Sequence, residues 1–208
     1  KSDKVEYLSR PKRLALSEFG PQNIIYNNGG KFRINRMQIL SEVIPHKFFY
    51  NPKTGVVYKD EENTTHHTDI ITGESLDGVA KLIPGMCIEA QDMVAAETEK
   101  ITCQEEERSR KYYKTKTYFA SDDPRAISEC ELKSPHGEHL ANIRYIPSCR
   151  LTYILESRND DNANGFAFDT KTGDWISNER LSRIQEEADK NPEEADRIKF
   201  VKLFTETT

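Results

Sequence analysis

Histidines, carboxylates and cysteines are the side chains in this sequence that could carry a reaction, and their spacing decides how far each goes. His66 and His67 precede Asp69, and His136 and His139 enclose Gly137 and Glu138. Two histidines three residues apart could face one metal on a helix. Pro135 and Gly137 break helical spacing, so turn histidines facing solvent are expected. Glu105, Glu106 and Glu107 follow Thr102 and read as the acidic first turn of a capped helix rather than an acid/base pair. Cys87, Cys103, Cys130 and Cys149 contain no CxxC pair. They are expected to be buried or half-buried thiols in a reducing compartment, without zinc. The sequence has no glycine-rich phosphate loop and no GxSxG elbow. No enzyme activity, metal or cofactor is expected.

Cations interleaved with aromatics offer binding rather than catalysis. Arg10, Lys12 and Arg13 form one cluster, Lys31, Arg33 and Arg36 a second, and Lys111 with Tyr112 and Tyr113 a third. Basic strands can hold phosphates while aromatic rings stack on bases. Residues 1–60 carry a net charge of +6 and the remainder −11, for −5 overall. Contact with DNA is therefore expected to be weak and to come from the basic end. The other reading of the same surface is a face that docks on protein.

Local signals outline the elements that must position these groups. Pro11 suits the first turn of a short helix that ends at Gly20 and Pro21. Asn27, Asn28, Gly29 and Gly30 supply the positive φ angles of a tight hairpin between Asn23–Tyr26 and Lys31–Met37. Alternation puts Lys31 and Arg33 on one side and Phe32 and Ile34 on the other, with Arg36 where the strand ends. A second hairpin turns at Asn51–Gly55. A third turns at Thr170–Gly173 between Phe166–Asp169 and Asp174–Ile176, and both of these turns contain Lys-Thr-Gly. Residues 59–75 read as a loop, and residues 88–111 are rich in helix formers. Lys111–Phe119, 142–158 and 198–204 are strand-prone. Residues 178–190 are helical, with Asn191 and Pro192 as an interruption. No internal repeat stands out. The class expected is α+β, mainly antiparallel β, as a hairpin-rich sheet or partly open barrel with a few short helices.

Composition sets the outer limits. A chain of 208 residues with 36% hydrophobic, 31% charged and 9% aromatic residues can bury a core. No stretch approaches the roughly 20 apolar residues of a membrane helix, so no membrane partner is expected and a cytoplasmic location is. The chain begins at Lys1 without Met, as an excised or processed piece would.

Several stretches, in order, carry a family resemblance. Ser9-Arg10-Pro11-Lys12-Arg13 through Ile24-Ile25-Tyr26, followed by Gly30-Lys31-Phe32-Arg33-Ile34, forms the first. Glu99–Arg108 with the strand after it forms the second, and Gly165–Asp169 with Gly173–Ile176 the third. Together they resemble the region after the motor domains in large bacterial superfamily-two helicases of phage-defence type. The DISARM helicase subunit is nearest, and the Druantia and mitomycin-repair helicases are more distant. The resemblance implies one accessory domain over residues 1–208, contacting DNA weakly, the parent helicase's motor domains, or a companion defence subunit. It implies phosphate contacts for Lys31, Arg33 and Arg36, and a place near the motor junction for Arg10, Lys12 and Arg13. Lys111, Tyr112 and Tyr113 would be weaker contacts. The chain lacks the motor domains and the clustered cysteines of zinc-binding versions, so ATPase activity and zinc do not carry over.

Overall fold

The computed structural model describes residues 5–40, 42–60, 67–100, 113–121, 127–159 and 165–207. Its helices are α1 (Lys12–Glu18), α2 (Asn178–Glu186) and α3 (Pro192–Arg197). Its strands are β1 (Ile24–Asn27), β2 (Gly30–Met37), β3 (Phe48–Tyr50), β4 (Val57–Lys59), β5 (Lys81–Leu82), β6 (Met86–Glu89) and β7 (Met93–Lys100). They continue as β8 (Tyr113–Ala120), β9 (Ser128–Lys133), β10 (His139–Tyr145), β11 (Arg150–Arg158), β12 (Phe166–Asp169) and β13 (Ile198–Thr207). The class is α+β and mainly antiparallel, built of open sheets rather than a closed barrel.

Turn chemistry explains much of this. Asn28 (φ 46°) and Gly29 (φ 77°) close the β1–β2 hairpin, with Asn27 paired to Gly30. Three further turns share one wiring. They run Asn51-Pro52-Lys53-Thr54-Gly55, Asp69-Ile70-Ile71-Thr72-Gly73 and Asp169-Thr170-Lys171-Thr172-Gly173. In each, the first residue's carbonyl accepts from the glycine N–H, at 2.8, 2.8 and 2.9 Å. Its side-chain oxygen accepts from the N–H two residues on, at 3.0, 2.8 and 2.8 Å. The threonine hydroxyl accepts from the N–H after the glycine, at 3.4, 3.3 and 3.3 Å. The middle turn lies inside the stretch expected to be a loop and is closed by a bridge between Thr68 and Ser75. Its side-chain-to-backbone bonds replace a strand ladder locally.

The chain gathers into two compact units. The first comprises Lys1–His46, Pro84–Lys116 and Tyr153–Thr205. In it β1, β2 and β7 form one antiparallel sheet. Residues 93–100, part of the stretch rich in helix formers, form the strand β7, because pairing along β2 outweighs their helix propensity. Residues 102–107, expected to start a helix, lie outside the described residues. Strand β2 ends at Met37, one residue past Arg36, and a register shift between Ile34 and Arg36 breaks the alternation there. That bulge leaves Asn35 and Arg36 both exposed between the buried Ile34 and Met37.

Strand β13 pairs antiparallel with β12 and parallel with β6, and lies next to β11 in the sheet order. Its consecutive buried residues Val201, Lys202, Leu203, Phe204 and Thr205 mark a strand covered on both faces. Ile88, Ile154, Leu155, Phe168 and Leu203 complete the apolar core here. Lys202 is held by Glu156 at 3.5 Å, and Glu156 also takes Lys116 at 3.1 Å. Ser177 caps α2 by accepting from the Arg180 N–H. Pro192 begins α3 rather than only breaking the preceding helix, since its fixed φ suits a first turn.

The second unit comprises Lys47–Ile83, Thr117–Thr152 and Glu206–Thr208. Strands β4, β3 and β5 form a small sheet over Phe48, Val57 and Ile83. The linked turns at 51–55 and 69–73 lie in this unit, as does the hairpin of β9 and β10.

Candidate functional site

The nine residues expected to bind DNA are not alike in the structure. Arg10 donates through Nε to Glu18 at 2.9 Å, and Arg36 does the same to Asp174 at 2.9 Å. Arg13 lies over the Tyr153 ring at 5.4 Å. Lys31 is half-buried, and its backbone carbonyl accepts from the Thr98 hydroxyl at 3.2 Å. Lys12 and Arg33 are exposed and have no carboxylate partner among the described residues. Tyr113 is half-buried, donates to the Pro21 carbonyl at 3.1 Å and sits edge-on to Phe166. A β-carbon at Gly20 would collide with its ring. Tyr113 is thus packed within the fold, which removes the open ring face that stacking on a base needs. Lys111 and Tyr112 lie outside the described residues.

The histidines are spread apart. His67 stacks on Tyr58 with centroids 3.6 Å apart, and burial is the main influence raising the Tyr58 pKa, with Asp77 and Asp60 adding to it. His136 is exposed in the turn between β9 and β10, and His139 is exposed at the start of β10, with a ring nitrogen 3.0 Å from Asn142. His66 lies outside the described residues. Among the described residues no group of three or more His, Cys, Asp or Glu could hold a metal ion. Cys87 is buried, which pushes its thiol up to about 11; Lys202 opposes this and Glu156 reinforces it. Cys149 is half-buried, and burial raises it too. Cys130 is exposed, contrary to the buried or half-buried thiol expected, because both faces of the β9–β10 hairpin meet solvent. Cys103 lies outside the described residues.

That hairpin is the surface sequence reasoning did not single out. Every residue of β9 and β10 is exposed. The register pairs Leu132 with Ala141, Cys130 with Ile143 and Ser128 with Tyr145. The pleat puts all six on one face. The opposite face holds Glu129 paired to Arg144 at 3.1 Å, and Glu131 takes Lys133 at 2.9 Å. Leu132, Ile143 and Tyr145 are 47%, 51% and 66% exposed. The signal that could have found the face is the alternation in both strands, which periodicity registers without saying what lies against it.

Comparison with protein-family models, with curated proteins and with solved structures found no match. The likeness to helicase accessory regions rests on the sequence motifs alone.

Proposed function

We propose that this chain is a non-catalytic accessory domain of a DNA-helicase-like phage-defence protein that docks on a protein surface through its β9–β10 hairpin. The surface belongs to the motor domains of the parent helicase or to a companion defence subunit. The observation that carries the reading is the apolar face of Leu132, Ile143 and Tyr145, backed by a face of ion pairs. A contiguous exposed apolar face with a polar rear is the pattern of a contact surface. A two-stranded hairpin gains little stability by itself in water, so covering this face would favour its order. The helicase setting comes from the motif order in the sequence.

The test is retention of the chain by the motor domains of its parent helicase, at low and at high salt. Retention that survives high salt and is lost in the Leu132→Asp/Ile143→Asp double variant supports docking by the hairpin. Retention that fades with salt and is lost in Lys12→Ala/Arg33→Ala instead would move the contact to the basic surface. Direct DNA contact is the second reading, favoured by Lys12 and Arg33, which are exposed and without a carboxylate partner among the described residues.

A further inference from the structure

Asparagine is followed by glycine at Asn28–Gly29 and at Asn164–Gly165. The two places differ. Gly165 is buried, and a β-carbon on it would collide with the Val201 backbone. Asn164 lies outside the described residues. Asn28 and Gly29 are both exposed at the tip of the β1–β2 hairpin, and nothing approaches the place that a β-carbon on Gly29 would take. The Gly29 N–H makes no hydrogen bond among the described residues. The asparagine side chains of this turn are engaged. Glu6 Oε2 accepts from Asn27 Nδ2 at 2.8 Å and from Asn28 Nδ2 at 3.0 Å. These two bonds tie residues 5–8, all exposed, to the turn, and Val5 and Tyr7 are 71% and 92% exposed.

A backbone nitrogen that follows asparagine can attack the side-chain amide, and glycine hinders the attack least because it has no β-carbon. Here the Gly29 nitrogen bonds to Asn28 Cγ. The Cγ–Nδ2 bond breaks, and Nδ2 leaves as ammonia with the proton that Gly29 gives up. Solvent water then opens the ring. Attack at Cγ leaves aspartate at position 28. Attack at the backbone carbonyl leaves isoaspartate, with the chain running through Cγ. Nothing is oxidised or reduced. Either product replaces an amide donor with a group that only accepts. A carboxylate then stands at the position from which Asn28 donated to Glu6, and like charges at that range repel. Asn27 is left as the one donor against a new negative charge. Isoaspartate also adds a methylene to the main chain of a tight turn whose geometry sets the hairpin.

We infer that Asn28 is a deamidation site, and that its conversion to aspartate or isoaspartate undoes the Glu6 clamp and frees residues 5–8. The reaction needs water alone, so it marks the age of the folded chain. It is separate from the docking hairpin in residues and in chemistry, and it stands whether or not that reading holds.

The full chain is incubated at physiological temperature, at neutral and at mildly alkaline pH, and followed by intact and tandem mass spectrometry. The expected first event is the mass gain of an amide-to-acid exchange at Asn28, faster at the higher pH and accompanied by isoaspartate. It is expected to be lost in Asn28→Gln, whose longer side chain closes a ring far more slowly, and to be strongly slowed in Gly29→Ala. If Gly29→Ala does not fold, Asn28→Gln decides the matter alone. A mass gain at Asn28 only when the chain is unfolded in urea overturns the site, because the folded turn then holds the amide out of reach. Another asparagine reacting first overturns it too. Release is read from the heteronuclear NOE of the Glu6, Tyr7 and Leu8 amides. Asn28→Asp is expected to lower it as far as Glu6→Ala does, with the cross-strand pairing of Tyr26 and Lys31 retained. A value unchanged in Asn28→Asp overturns the release.

Discussion

Asn51 stands where the two turns wired like its own carry aspartate, and its neighbour explains why. Its Nδ2 donates to Asp69 Oδ2 at 2.6 Å, and the Thr54 hydroxyl donates to the same oxygen at 2.5 Å. Asp69 Oδ1 takes the N–H groups of Ile71 and Thr72. Burial acting alone would raise the Asp69 pKa. The hydrogen bonds from Thr54, Ile71, Asn51 and Thr72 outweigh it and hold the carboxyl below its ordinary 3.8. The folded state therefore binds this proton less readily than the unfolded state. The stabilisation is complete above the ordinary carboxylate range and is lost as pH falls through the lowered value.

An aspartate at position 51 would set two carboxylates against each other. Asn51→Asp is expected to cost about 3 kcal/mol at neutral pH. Part of the loss should be regained as pH falls toward the ordinary carboxylate range, where the pair shares a proton, so the gap between variant and wild type narrows as pH falls while the wild type itself begins to lose stability. Urea unfolding of both proteins across that range measures the difference. A parallel pH dependence in the two would show that the pair does not bear the repulsion.

At the scale of elements, one turn design recurs three times with different surroundings. Gly73 has φ 71° and open space around an added β-carbon. Gly173 has φ 79°, and an added β-carbon would fall on the Met37 carbonyl. Gly173 also accepts from the Met37 N–H at 2.9 Å, and Trp175 donates its N–H to the Asn35 carbonyl at 2.8 Å. This third turn is therefore clamped onto β2, where Arg36 meets Asp174. Gly73→Ala is expected to cost about 1–2 kcal/mol, the left-handed penalty for a residue with a β-carbon. Gly173→Ala should cost clearly more, since backbone must shift as well. Thermal melting of the two variants ranks them, and equal costs would remove the role of the Met37 contact.

The hairpins at Asn27–Gly30, 51–55 and 169–174 were legible because Asn-Gly and Asx-x-x-Thr-Gly chemistry is complete within a few residues. The turn at 69–73 follows the same rule, but polar neighbours and an apolar pair in place of Lys hid it. Strand β7 was missed because the partner that makes it a strand lies some sixty residues earlier in the chain.

For the whole molecule, charge sets what DNA contact can be. The chain carries 35 acidic residues against 30 basic ones. Among the candidate cations Arg10 and Arg36 are spent on carboxylates and the exposed Arg13 lies over the Tyr153 ring, which leaves Lys12 and Arg33 as exposed groups with neither kind of partner among the described residues. Binding of labelled single- or double-stranded DNA is expected to be weak at low salt and to vanish near physiological salt. Two phosphate contacts correspond to a log–log salt slope of about −2 on duplex DNA. Fluorescence anisotropy over a salt series measures it. A slope near −4 would mean that the two paired arginines leave their carboxylates to bind as well. Among the described residues no helix is long and apolar enough to cross a membrane.

The class, most of the turns and the alternation of most strands are legible in the local sequence, because they follow from φ preferences and side-chain period within a few residues. Lys31 and Arg33 could be placed on one strand for the same reason. Only the tertiary structure decided which charges remain unpaired and that Tyr113 is packed against Gly20 rather than open. It alone left the faces of β9 and β10 uncovered, and it alone brought Glu6 to the amides of Asn27 and Asn28 from the far side of α1 in the chain. Pairing, burial and cavities depend on what packs against a residue, and that partner is set by the fold rather than by its neighbours in sequence.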